Sequence, residues 1–443
     1  MFERTLQRTG YPSPAVRVGE VVRSIALALF AAATLQGCVS SERPRDLATE
    51  VRERVNDYAS AGDFMGVVAI GQSNQEPLLL PFGDASVELR VPHSGDGVFM
   101  IGSISKQFTA AALLTLESEG KLRLADPISQ HLSEFEDAPA EGATSAPTIH
   151  QLLNHTAGIG DTYSLPMFGS SRGLFGDFEE VVDALAKAPR THAPGTTYAY
   201  SNGGYVLAAA IIERVSGVSY GEFLSSRFFE PLDLTSMRHN DEGAAQVHEV
   251  PGYQPWSAFG VSPVERQSSA FAAGAGSLWS NAVDLFAWTR ALHGGVVLPE
   301  ESYARLVTDY GNGYGYGLSV FRRFDQRVYG HDGRIAGYAT DAAHYPDADL
   351  TIVVLSNVES VARDAVRVIA AAALAKVLQR NGAAGSLSSN AASGRPRSCS
   401  RLFSNPVACT GRMLPSSPMP GAPHWSTRAS SGLNGNATTA GMP

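Results

Sequence analysis

The sequence predicts an α/β (α+β) fold in which one antiparallel sheet, flanked by helices, is joined to an all-helical subdomain. Three observations predict it. Strand-like segments cluster at residues 64–91, helix and loop patterns fill most of 103–300, and strand character returns at 314–356 before a last helix. Strands at both ends of a body with helices between them imply one sheet built from both chain ends. No internal repeat interrupts this order.

The elements follow from composition and spacing. Residues 64–72, 77–82 and 86–91 are rich in Val, Leu and Phe and are separated by Gly, Asn and Asp, which reads as short strands between turns. A helix is expected over 103–119, apolar at Phe108, Ala111, Ala112, Leu114 and Leu116, with Gly120 as its C-terminal breaker. Further helices are expected at 206–215, 221–229 and 282–292. Strands are expected at 314–324, 327–331, 338–345 and 350–356, and a closing helix at 360–378.

Charge separates this body from the chain ends. The 443 residues carry a net charge of −9 and only 17% charged side chains. A share below the usual ~25% points to a large buried interior. The acidic balance excludes a nucleic-acid binder, which needs clustered Lys and Arg for phosphate contacts. Three Cys make no disulfide framework, and no Cys or His spacing suggests a metal site. Residues 381–443 hold five Arg and no acid, and 27 of those 63 positions are Gly, Pro or Ser. Such a segment buries too little apolar surface to offset its ordering entropy, so a disordered, low-complexity tail is expected. Residues 1–37 carry +2, which leaves −16 on residues 38–380.

The N-terminal 37 residues read as an export signal. Arg17 and Arg23 precede a largely apolar run at 25–35, too short to span a bilayer core of ~30 Å but suited to a signal peptide. The run ends in Leu35-Gln36-Gly37-Cys38, which resembles a bacterial lipobox and marks Cys38 as the expected lipidated residue. A plain cleaved signal with an incidental Cys is the alternative. Either way the protein is expected outside the cytoplasm, in the periplasm or cell envelope, with a membrane contact through the anchor if Cys38 is lipidated. Cys399 and Cys409 in the tail are then free to pair or to be incidental.

Three short motifs carry the chemistry. The first is Ser103-Ile-Ser-Lys106. The chain holds four Lys against thirty Arg, so a Lys kept at a helix start is informative. Lys can be deprotonated by its surroundings and Arg practically cannot. Ser and Lys three apart share a helix face, and a neutral Lys beside a hydroxyl can take its proton. The alternative is an N-cap Ser with a solvated Lys. A second such pair, Ser118 and Lys121, spans Gly120 and is discarded.

The second motif is Tyr200-Ser201-Asn202, where a Tyr of lowered pKa can shuttle a proton and an Asn amide can hold Lys106 and a substrate carbonyl. Tyr310-Gly311-Asn312 repeats the pattern in a Gly/Tyr-rich loop. The third is His331-Asp332-Gly333, expected to end a strand. Gly333 lets the backbone approach a ligand, and the N–H of Arg334 can serve an oxyanion. His93 and His293 sit in similar strings, the latter reading as a helix C-cap with Gly294.

At these residues the sequence resembles the serine β-lactamase and penicillin-binding-protein superfamily, in its class C-like branch. The resemblance covers 46–380 and extends to FMIGSISKQF (99–108), GKLRLADP (120–127), LLNHTAG (152–158), PGTTYAYSN (194–202) and GHDGRIAGY (330–338). It implies the β-lactamase/transpeptidase-like fold and two-step acyl transfer, on amide or ester bonds of a small molecule or peptide, with no metal or cofactor. Ser103 is the implied nucleophile, Lys106 and Tyr200 the proton relay, and Asn202, His331, Gly333 and Arg334 the substrate-binding residues. Asn154 and His155 are read as a turn and cap.

One departure bears on the substrate. Many relatives carry Lys where this chain has His331, and an imidazole is only partly charged near neutral pH. A D-alanyl-D-alanine carboxypeptidase or similar D-peptidase is therefore expected ahead of a β-lactamase or broad esterase. A non-catalytic sensor of cell-wall peptide is the alternative from another class. No oligomeric state follows from the sequence.

Overall fold

The computed structural model describes residues 46–379, apart from 74, 136–145, 172–175, 240–246, 256–259, 360–364 and 367. The leader, Cys38 and the tail with Cys399 and Cys409 lie outside the described residues.

One six-stranded sheet joins the two chain ends, as expected. Its order is β10 (Ser319–Arg323), β11 (Gln326–Ile335), β12 (Tyr338–Tyr345), β13 (Leu350–Ser356), β1 (Gly66–Gln72) and β2 (Leu78–Phe82), all antiparallel. β13 is the sequence LTIVVLS, buried at every position, which suits a central strand covered on both faces. Val353 and Leu355 face the same core as Val67 and Ala69, together with Leu285 and Trp288 of helix Ala282–His293. Their neighbours Val68, Ile70, Ile352 and Val354, on the alternate face, are equally buried.

Helices fill the stretch between the strand groups, as expected. With α1 (Leu47–Ser60), which precedes the first strand, the main ones are α2 (Ser105–Ser118), α3 (Ile149–Leu153), α4 (Phe178–Lys187), α5 (Asn202–Ser216), α6 (Tyr220–Leu224), α7 (Ala282–His293) and α8 (Glu300–Leu306). Their ends follow side-chain chemistry. Ser201 caps α5 through the Gly204 N–H at 3.0 Å, Asn281 caps α7 through the Asp284 N–H at 2.8 Å, and Gly217 ends α5 in a left-handed conformation. α2 is buried along nearly its whole length and anchors the helical half. No helix among the described residues is long and apolar enough to cross a membrane.

Four expectations change. Residues 86–91 are not one strand: β3 (Asp84–Ser86) and β4 (Val91–Pro92) form a small hairpin around a turn. The strand expected from 314 begins at Ser319, because Gly313 and Gly317 hold left-handed conformations just before it. β11 runs on to Ile335, so the third motif lies inside a strand rather than at its end. Ser103 does not cap α2; it sits in a 3₁₀ turn, Gly102–Ile104, that leads into the helix. Of the closing helix, residues 365, 366 and 368–379 are described and helical, while 360–364 and 367 lie outside. The smaller sheets are β5 (Phe99–Met100) and β6 (Arg238–His239) on either side of β9 (Leu278–Ser280), and the pair β7 (Tyr253–Pro255) with β8 (Val261–Pro263).

Candidate active site

The three motifs meet at one oxygen. Lys106 Nζ stands 3.1 Å from Ser103 Oγ, and the Tyr200 hydroxyl donates to the same atom at 2.9 Å. α2 delivers the first pair, since the turn at 102–104 runs directly into it and keeps Ser103 and Lys106 three residues apart on one face. Ser103 is partly accessible and Lys106 fully buried, so the hydroxyl is open to a ligand and its base is not.

Lys106 is held by three oxygens: Ser103 Oγ, Asn202 Oδ1 at 2.7 Å and the Ala275 carbonyl at 2.7 Å. Burial pushes its ammonium down to about 7, against the pull of the Asp161 and Asp332 carboxylates. A Lys poised there is part amine, part ammonium near neutral pH. Tyr200 moves the other way: burial pushes its phenol well above its ordinary value, although its bond to Ser103 opposes this. The expected lowered pKa is therefore corrected. Tyr200 rests as a proton donor, and Lys106 is the group able to accept.

Asn202 opens α5 because Ser201 caps it, which turns the Asn amide toward Lys106. The orienting residue is Asp161, missed in the sequence reading. Its Oδ2 accepts from both Asn202 N–H and Asn202 Nδ2 at 3.0 Å, so Oδ1 of the amide must face the Lys. The signal for it was slight, a lone Asp after a Gly.

The third motif borders this group edge-on. β10 pairs with β11 only as far as Gly330, and beyond that β11 lies against the turn that carries Ser103. The fit is tight. A Cβ on Gly333 would lie 2.1 Å from the Ile101 carbonyl oxygen, and one on Gly102 would lie 2.8 Å from the Arg334 nitrogen. Glycine at both positions brings the Arg334 backbone beside Ser103. The Arg334 side chain itself is exposed.

His331 differs from its expected part. Nδ1 lies 2.5 Å from the Asp332 carbonyl, an acceptor only, so this nitrogen carries the proton. Nε2 then accepts from the Tyr314 hydroxyl at 3.0 Å. Burial and the nearby Lys106 hold the imidazole well below its usual range, with Asp332 opposing, so the ring is neutral. Expected to be partly charged and to bind substrate, His331 has both nitrogens engaged within the protein.

The remaining motif residues fall in structural places. Asn154 ends α3 and His155 follows with a positive φ of 61°, the turn and cap expected. His155 also packs its ring 4.3 Å from that of Tyr200 and accepts the Ser201 N–H on Nδ1 at 3.1 Å, steadying the second motif. The Tyr310-Gly311-Asn312 loop wraps Asp309, whose Oδ1 accepts from the Gly311, Asn312 and Gly313 N–H groups. His93 bonds Asn357 at 3.1 Å, His293 sits at the capped end of α7, and Lys121 pairs with Glu119 at 2.9 Å. Among the described residues no three His, Cys, Asp or Glu gather to hold a metal.

Known proteins are similar to this chain over the same body. The chain is 28% identical over 319 residues to a D-aminopeptidase of Gluconobacter oxydans (strain 621H), covering 70% of this chain and 58% of that one. It is 29% identical over 298 residues to penicillin-binding protein 4* of Bacillus subtilis (strain 168), covering 63% and 64%. The match thus spans less than two thirds of either relative. A solved D-stereospecific amidohydrolase from a Streptomyces species superposes with a TM-score of 0.61 at 27% identity, covering 72% of this chain and 95% of that one. A family model described as Beta-lactamase matches residues 47–376, the whole body that bears Ser103, Lys106, Tyr200 and His331, and the chain belongs to that family.

Proposed function

We propose that this chain is a serine hydrolase that cleaves amide or ester bonds through an acyl-enzyme, acting as a D-peptidase. One observation carries the reading: Ser103 Oγ lies 3.1 Å from a buried Lys106 and 2.9 Å from the Tyr200 hydroxyl. In the first step Oγ bonds to the substrate carbonyl carbon while its proton passes to the Lys106 amine. The Ser103 and Arg334 N–H groups bind the oxyanion, a pairing supported by the close approach of Gly102 to the Arg334 nitrogen. Tyr200 gives its proton to the leaving group and regains one from Lys106. Water then attacks the acyl carbon and releases the acid, its proton returning through the same pair. Asn202, oriented by Asp161, holds Lys106 and the substrate carbonyl.

A D-peptidase that needs no cation for a terminal carboxylate is favoured over a β-lactamase, because the neutral, fully engaged His331 offers none to the carboxylate of a β-lactam or of a terminal D-Ala. The printed names of the relatives, a D-aminopeptidase and a D-stereospecific amidohydrolase, support the same preference. A broad esterase remains the neighbouring reading. A non-catalytic cell-wall sensor is disfavoured, since mere binding needs no titratable Lys beside the nucleophile. Export, with a lipid anchor at Cys38, belongs to the proposal and rests on the leader sequence. The test assays wild type and Ser103→Ala with a nitrophenyl ester, D-Ala-D-Ala and a chromogenic cephalosporin. Turnover by wild type alone supports the reading. Equal inertness of both proteins with retained binding of peptidoglycan fragments favours the sensor.

A further inference from the structure

The proton donor sits on backbone that no sheet or helix holds. Tyr200 lies in the irregular stretch 197–201, between the turn at 194–196 and the start of α5. Its hydroxyl nevertheless meets Ser103 Oγ at 2.9 Å. The peptides on either side of it are fastened to one residue, His155. The Ala199 N–H donates to the His155 carbonyl at 2.9 Å, and the Ser201 N–H donates to His155 Nδ1 at 3.1 Å. The imidazole thus takes the place of a second backbone carbonyl, of the sort a neighbouring strand would supply. Its ring also packs against that of Tyr200, with centroids 4.3 Å apart.

The turn after α3 does not itself need this side chain. Backbone closes it: the Asn154 N–H donates to the His150 carbonyl at 3.1 Å and the His155 N–H to the Leu152 carbonyl at 3.3 Å. His155 is 2% exposed and holds a positive φ of 61°, uncommon for a residue with a Cβ. Because Nδ1 accepts, the proton of the neutral ring is on Nε2, which has no hydrogen-bond partner among the described residues. The ring packs among Tyr205 at 5.2 Å and Tyr314 at 4.7 Å between centroids. Burial there, with Lys106 and His331 adding to it, holds the imidazole well below its usual value, so Nδ1 stays an acceptor. The fold leaves one buried nitrogen unpaired and keeps the other on Ser201.

Resting on the hydrolase reading, we propose that His155 is the positioning residue for the leaving-group proton: by accepting on both sides of Tyr200 it holds the phenol where it can protonate a departing amine. His155 itself exchanges no proton. As the scissile C–N bond breaks, the amine nitrogen takes the Tyr200 proton, and Tyr200 regains one from Lys106. An amine does not leave as an anion, so amide cleavage depends on a well-placed donor. A nitrophenolate leaves without a proton, so its ester does not. Loss of the His155 acceptor therefore separates the two substrates, which a general loosening of the site does not.

The test compares D-alanine p-nitroanilide with p-nitrophenyl acetate, using the full chain in wild-type, His155→Phe, His155→Gln and His155→Asn forms. Phe keeps a ring and removes the acceptor, and Gln moves its acceptor one bond outward. Asn puts an oxygen where Nδ1 stands and suits the left-handed backbone. In the Phe and Gln variants kcat/KM for the anilide is expected to fall about 30–100-fold, and that for the ester by less than about 5-fold. The Asn variant keeps the anilide within about 5-fold of wild type. Labelling of Ser103 by a fluorophosphonate reports an intact fold and nucleophile in each, and if the Phe variant fails to fold, the comparison of Gln with Asn decides. Equal losses on both substrates, no loss in the Phe and Gln variants, or an Asn variant no better than Gln overturns the proposal and leaves the hydrolase reading standing. So does a wild type that turns over the ester and not the anilide. A wild type inert toward both substrates and unlabelled at Ser103 overturns both.

Discussion

Asp161 holds Asn202 twice on a single oxygen: Oδ2 accepts the backbone N–H and the side-chain Nδ2, each at 3.0 Å. The amide is thereby fixed with Oδ1 on Lys106 at 2.7 Å. Asp161 also raises the pKa of Lys106 against the effect of burial. Asp161→Asn removes that charge and loosens the amide. The acid limb of the kcat/KM profile is then expected at lower pH than in wild type, with kcat down about 10-fold. A pH–rate profile checks this, and a limb that moves upward counts against the role.

Lys106 must be neutral to accept the Ser103 proton. Since burial places its pKa at about 7, activity is expected to rise with pH through that region and to fall as the amine is protonated below it. Tyr200 is pushed well above its usual value, so no loss on the alkaline side is expected before the phenol ionises. Lys106→Arg keeps a cation that cannot be deprotonated, and a loss of about 10³-fold in kcat is expected at all pH values. Steady-state kinetics from about pH 5 to about 9.5 read both effects, the range lying on both sides of the Lys106 titration at about 7.

Gly333 has no room for a methyl group. A Cβ there would meet the Ile101 carbonyl oxygen at 2.1 Å and Thr340 Oγ1 at 2.3 Å. Gly333→Ala must push β11 off the Ser103 turn. We expect a stability loss of roughly 2–3 kcal/mol and about 10²-fold in kcat, read by denaturant melts and single-turnover kinetics. An unchanged kcat would mean that the Arg334 N–H takes no part.

Beneath the sheet, His293 of α7 stacks on His344 of β12 with ring centroids 4.7 Å apart. Both imidazoles are held below their usual value of 6.5, His344 at about 4, with burial the largest cause and Arg290 adding to it. Asp349 acts on His344 in the opposite direction. The folded state therefore binds fewer protons than the unfolded chain between about pH 4 and 6.5. Stability from this pair is complete above about 6.5 and is lost as pH falls toward 4, by about 3 kcal/mol for His344 alone. His344→Gln is expected to flatten the acid side of a plot of unfolding free energy against pH.

Much of this was legible in the sequence, for reasons that can be named. β13 and β1 announced themselves because LTIVVLS and GVVAIGQ are unbroken apolar runs, which a buried strand requires. Ser103, Lys106 and Tyr200 stood out through residue type and spacing, and the fold places all three on one oxygen. What failed depended on tertiary context. The 86–91 segment looked like a strand, yet its ends pair with each other around a turn. A rise or fall of the Tyr200 phenol is set by desolvation, which no local string encodes. Asp161 and Tyr314 become relevant only through partners 41 and 17 residues away.

Ser103 as the acylated nucleophile is the claim on which the rest depends. The direct measurement is fluorophosphonate labelling of the full chain, followed by intact mass and peptide mapping at pH values on either side of 7. One adduct is expected, on the peptide holding Ser103, formed faster above the Lys106 titration and absent in Ser103→Ala. An adduct on Ser105 or Ser118, or one that persists in Ser103→Ala, would contradict it.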